Sequence, residues 1–191
     1  MLLSQILQFL IETLASFLVF LLLARFHFQW LRVPFRNQVG EFILTLTSWL
    51  VLPARRVIPG LAGLDLATLF LAWMVQAGTL GLLFALRGQD FSAEPGFSAG
   101  IVGCIAIFDL ARYSVYLLVF ALIVQAVLSW TSPYSPLRAF FEPIVRPFLR
   151  PIRRRLPLVS NIDLSPLVLL LLLQVLLIPL AYGRAVVAAM I

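Results

Sequence analysis

The chain has 191 residues, 62% hydrophobic and only 12% charged, and its mean hydropathy is +1.06. A water-soluble monomer of this composition would lack the polar residues to cover its surface, so the bilayer is its solvent. All fourteen basic residues are arginine, against eight acids, and they cluster beside apolar runs, which favours anionic lipid headgroups over direct nucleic-acid binding. One cysteine, Cys104, and one histidine, His27, supply neither a disulfide framework nor a cysteine/histidine metal cluster, and no cofactor is expected.

About 20 apolar residues cross about 30 Å of hydrocarbon. Four segments qualify: about 2–28, interrupted by Glu12 and Arg25; 66–86, wholly uncharged; 110–130; and 164–183. The first lacks a basic leader and a small-residue cleavage site, so it is expected to stay as a signal anchor. Arginines gather after the first span (Arg32, Arg36, Arg55, Arg56) and after the third (Arg138, Arg146, Arg150, Arg153, Arg154, Arg155). The positive-inside rule then puts both connections in the cytoplasm and both termini outside, the topology of a multi-pass protein. Trp30 and Trp130 end spans one and three at the level an indole prefers. Residues 98–130 as one helix would extend about 50 Å, longer than the bilayer is thick, so 98–112 is expected either to protrude, with Asp109 and Arg112 near the outer headgroups, or to lie along the outer interface. The segment 87–97, acidic and glycine-containing, reads as a flexible linker.

The two halves repeat. Trp30 matches Trp130, PARRVIP at 53–59 matches PIRRRLP at 151–157, and LDLATL at 64–69 matches IDLSPL at 162–167. Each half, 1–86 and 98–191, is a span, an arginine-rich connection and a second span opened by an aspartate. Two crossings per copy give both copies one orientation, a parallel repeat. The fold class is therefore an all-α membrane protein, four transmembrane helices in two parallel helix-loop-helix repeats with interfacial or re-entrant connections. In the first connection Val39, Phe42, Ile43, Leu46, Trp49 and Leu50 share one helical face, opposite Glu41, Thr45 and Ser48. In the second, Leu137, Phe140, Phe141, Ile144 and Phe148 do so, but Pro143, Pro147 and Pro151 predict a kinked or partly extended segment.

A tryptophan closing a span, a Pro-x-Arg-Arg-x-x-Pro segment and Asp-Leu-Ser-Pro opening the next span resemble the YggT (YlmG) family of small membrane proteins, across about 21–71 and 118–169. The second copy keeps LSW, PIRRRLP and DLSP; the first has Ala67 and Thr68 in place of serine and proline, and Arg25 resembles a family arginine replaced in the second copy by Gln125. The resemblance implies a bacterial inner-membrane protein in a family linked with osmotic tolerance, cell division, nucleoid organisation and, in photosynthetic relatives, cytochrome assembly. It implies no shared biochemical activity.

Arg55 and Arg56 with Asp65, and Arg153, Arg154 and Arg155 with Asp163, are the candidate lipid or partner contacts: the aspartates suit helix starts, and the arginines suit phosphates or the aspartates themselves. Ser165 before Pro166 offers a rival cap in the second copy. Gln76 and Gln174 occupy matching positions inside spans two and four and are expected to meet each other or Gln125 across the bundle, as interhelical glue or as a polar path. Arg25 is placed to snorkel to the interface, whereas Glu12, deep in span one, needs a partner, a proton or a wet cavity. Ala77, Gly81 and Ala85 form a small-residue stripe for helix packing, within the chain or between copies. His27 reads as facing headgroups, and Cys104 as packing.

The leading functional reading is nonenzymatic: a membrane accessory protein that grips anionic lipids and positions a partner complex. The alternative is a small ion or solute channel serving osmotic balance, resting on Glu12, Gln76, Gln125 and Gln174. Partners are membrane lipids, with a protein partner or a homo-oligomer, and no nucleic acid directly.

Overall fold

The computed structural model describes residues 2–60, 64–88, 95–131, 136–155 and 163–190. They form six helices: α1 (Leu2–Trp30), α2 (Gln38–Val57), α3 (Leu66–Leu86), α4 (Pro95–Thr131), α5 (Pro136–Arg153) and α6 (Ser165–Ala188). α1, α3, α4 and α6 are long and apolar enough to cross a membrane. Helices are what this composition permits, because every backbone polar group in hydrocarbon must bond within its own segment.

The helices pair as the repeat demands. α1 packs on α3 and α4 on α6 within the repeats, and α3 and α1 meet α4 between them; α2 lies on α1 and α3, and α5 on α4 and α6. The largest core cluster joins Phe28 of α1 and Ile43 of α2 to Phe140, Ile144 and Leu149 of α5, with the Phe28 and Phe140 rings edge to face at 5.1 Å. Both connecting helices therefore sit at the same end of the bundle, consistent with parallel repeats. Lipid is as apolar as leucine, so such contacts hold by close packing rather than by exclusion of water.

Local chemistry explains the helix ends. Asn37 caps α2 by accepting the Gly40 amide at 2.8 Å. Gly40 is required there, since a Cβ would fall 2.5 Å from the Phe35 carbonyl oxygen. α4 is one continuous helix of 37 residues, so 98–112 extends span three rather than forming a separate interfacial piece. Its first residue is Pro95, whose fixed φ suits a helix start, so the expected linker 87–97 ends early, and its middle, 89–94, lies outside the described residues.

One expectation for the connections changes. α5 stays helical through Pro143, Pro147 and Pro151. Prolines four residues apart share one side of a helix, here the more exposed side, where outside groups can serve the carbonyls that lose their amides; Phe140, Ile144, Val145 and Leu149 pack on the other. In α2 the apolar face divides. Ile43, Thr47 and Val51 are buried against the bundle, whereas Phe42, Leu46 and Trp49 are exposed, because the apolar arc is wider than the groove between α1 and α3 can cover.

Candidate functional site

At the end of the bundle that carries both connections, each repeat closes an arginine–aspartate clamp. Arg55, in the last turn of α2, donates from Nη2 to Asp65 Oδ2 at 2.6 Å and from Nε to Oδ1 at 3.3 Å, a two-pronged contact. Arg153 at the end of α5 donates from Nε to Asp163 Oδ2 at 2.8 Å. Helix ends deliver both partners: α2 and α5 bring arginines where their carbonyl ends favour cations, and the aspartates stand where the amide ends of α3 and α6 favour anions.

The clamps differ in depth. The Asp65 side chain is 7% exposed and that of Asp163 is 32% exposed. Asp65 is the N-cap of α3, accepting from the Thr68 amide at 3.4 Å and from the Thr68 hydroxyl. Burial pushes its carboxyl up, but hydrogen bonds from Arg55 and Thr68 outweigh burial and hold it below its ordinary value of 3.8. In the second repeat burial again pushes up, and bonds from Ser165 and Arg153 bring Asp163 below 3.8. Ser165 is not the rival cap expected from DLSP. It is the first residue of α6, and its amide donates to Asp163 Oδ1 at 2.9 Å.

In each clamp the first arginine of the run is engaged and the next is left outward. Arg56, Arg154 and Arg155 are exposed, without ion-pair partners among the described residues. Arg146 and Arg150 are also exposed, and with Glu142, Pro143 and Pro147 they line a shallow groove of about 530 Å³ on α5.

The intramembrane polar residues assemble differently from the sequence expectation. Gln76 meets neither Gln174 nor Gln125; its Nε2 donates to Asp109 Oδ2 of α4 at 3.0 Å. Arg184 of α6 donates from Nε to Asp109 Oδ1 at 2.7 Å, and Arg112 stands 3.7 Å from the same oxygen. Asp109 thus ties α3, α4 and α6 together. Gln125 is buried with Oε1 unpartnered among the described residues, whereas Gln174 is exposed on α6. Glu12 is exposed on α1. Arg25 does not snorkel: it is 2% exposed, donating from Nη1 to Thr47 at 2.8 Å and to Ser48 at 3.2 Å, while its Nε has no partner among the described residues. α2 lies across the route to the interface, so its hydroxyls substitute for water.

The small-residue stripe is not where helices approach most closely. Ala77 borders the cluster of Leu80, Ile101 and Ile105, but Ala85 is exposed and a Cβ at Gly81 would meet nothing within 4 Å. The close approaches are at Gly103, beneath Trp73, and Gly183, beneath Phe108. His27 is half-buried with Nδ1 2.7 Å from the Leu23 carbonyl oxygen, and Cys104 is exposed rather than packed.

Sequence reasoning missed Asp109 and Arg184 as a pair. The available signal was an acid in α4 and a base in α6, two spans of the same repeat, where a charge is not tolerated without compensation.

The family model for CCB3/YggT matches residues 4–86 and 104–182, one segment in each repeat. An uncharacterized protein of Pseudomonas aeruginosa is 35% identical over 170 residues, covering 87% of this chain and 83% of its own length. An uncharacterized protein encoded beside proC in Vibrio alginolyticus is 33% identical over 171 residues, covering 87% of this chain and 89% of its own. The YggT protein of Escherichia coli K12, also uncharacterized, is 32% identical over 170 residues, covering 88% of this chain and 86% of its own. No solved structure matches. Two family segments laid over two structural repeats, in a multi-pass membrane protein with relatives aligned along most of its length, place this chain in the CCB3/YggT family.

Proposed function

We propose that this chain is a nonenzymatic accessory protein of the bacterial inner membrane, organising or assembling a membrane-associated complex, with osmotic tolerance or cell division as the processes it serves. The observation that carries the reading is the division of labour within each arginine run. Arg55 and Arg153 are spent on the clamps, and Arg56 and Arg154 are left outward at the same end of the bundle. With the exposed Arg146 and Arg150 of α5 they offer guanidiniums suited to phospholipid headgroups and an acidic partner. In this reading both connections face the cytoplasm and both termini face outward, as the arginine bias favours.

The test reverses Arg56, Arg146, Arg150 and Arg154 to glutamate while keeping both clamps. Membrane insertion should persist, and partners crosslinked in native membranes should be lost. Unchanged recovery of those partners would overturn the reading, and ion or solute flux above that of empty liposomes would favour transport instead.

A further inference from the structure

The pseudo-symmetry makes one interhelical polar contact inside the chain and leaves its counterpart open. Gln76 of α3 donates to Asp109 of α4 where the two repeats meet. Gln174 is its equivalent, since both glutamines lie eleven residues beyond a clamp aspartate, 65 to 76 and 163 to 174. Repeating the junction would require α6 to receive α1, the equivalent of α4. Within this chain α1 and α6 do not pack as α3 and α4 do.

Both open faces carry a polar group that the bilayer does not solvate. Gln174 is exposed between Leu171 and Ile178, which are 56% and 68% exposed. Glu12 is exposed one turn from Phe9, itself 65% exposed. Neither has a hydrogen-bond or ion-pair partner among the described residues. By the match of Trp30 to Trp130, Glu12 corresponds to Arg112, one turn from Asp109 on the same face of its helix. α1 therefore offers a carboxylate close to where α4 offers one to Gln76. An amide and a carboxylate left open to hydrocarbon are each costly, and together they satisfy one another.

We infer that α6 of one chain packs against α1 of a second copy, with Gln174 donating to Glu12, so that the junction inside each chain is repeated between chains. The contact joins two different faces, so it is head-to-tail and builds a ring or a row rather than a two-fold dimer.

The test uses two differently tagged versions of the full chain, both Cys104→Ala because Cys104 is exposed, coexpressed in membranes. One carries Phe9→Cys and the other Ile178→Cys, each one turn from its polar residue, so Glu12 and Gln174 remain intact. A short bismaleimide should join the two tags. Pairing Phe9→Cys with Leu82→Cys, exposed on α3, should give no adduct. Adding Glu12→Ala or Gln174→Ala should lower the yield about three- to tenfold, while Glu12→Gln, which still accepts, retains most of it. Absence of the mixed adduct, an adduct as strong with Leu82→Cys, or a yield unmoved by both alanine variants would overturn the inference.

Discussion

Arg184 and Asp109, 75 residues apart, meet Nε to Oδ1 at 2.7 Å, and this contact fastens the C-terminal part of α6 to α4. Asp109 is 7% exposed while Arg184 is 33% exposed, so the pair is only partly screened. Asp109→Asn removes the counter-charge of Arg184 and should cost about 2–3 kcal/mol of unfolding free energy in mixed micelles. Replacing Asp109 and Arg184 together by leucine should recover much of that loss.

The clamps should be unequal. Asp65→Ala removes a buried cap as well as an ion pair and should cost about 2 kcal/mol, whereas Asp163→Ala, at a third of full exposure, should cost less than about 1 kcal/mol. Denaturation midpoints of the two variants decide it, and equal losses would contradict the difference in depth.

Acid should weaken the first clamp in a defined direction. The Asp65 carboxyl in the folded chain lies below its ordinary 3.8, so the unfolded chain takes up the proton first as pH falls. The stability it supplies is complete above 3.8 and is lost as pH drops through the lower folded value. Unfolding measured from pH 6 downward should show a stability gap between wild type and Asp65→Asn that narrows below about pH 4.

Arg25 and Thr47 should be coupled. Thr47→Val removes the 2.8 Å acceptor of a buried guanidinium and should cost about 1.5–3 kcal/mol. In an Arg25→Met background the same change should cost little, leaving a coupling of about 1–2 kcal/mol in the double-mutant cycle. Additive losses would show that the two do not depend on each other.

Glycines give a steric contrast. Gly183→Ala sets a Cβ 2.6 Å from the Phe108 ring and should destabilise the chain by about 1–2 kcal/mol, while Gly81→Ala meets open space and should stay within about 0.5 kcal/mol. Thermal denaturation in detergent compares them directly.

The sequence by itself determined the solvent, the four spans, the repeat and the family, because hydrocarbon length and composition leave helices few alternatives and PARRVIP and PIRRRLP mark the register. The clamp residues were legible for the same reason: helix ends fix the sign of charge they favour. Tertiary structure alone decided which polar residues share an environment. Gln76 and Gln174 look alike in sequence, yet one faces Asp109 and the other faces outward, because α3 is enclosed between the repeats and α6 lies at the edge. Arg25 looked free to reach the interface until α2 covered it, and Asp109 and Arg184 became partners only once α4 and α6 were laid side by side. Helix periodicity defines the faces of each segment, but the neighbour on each face is set by packing between residues far apart in the chain.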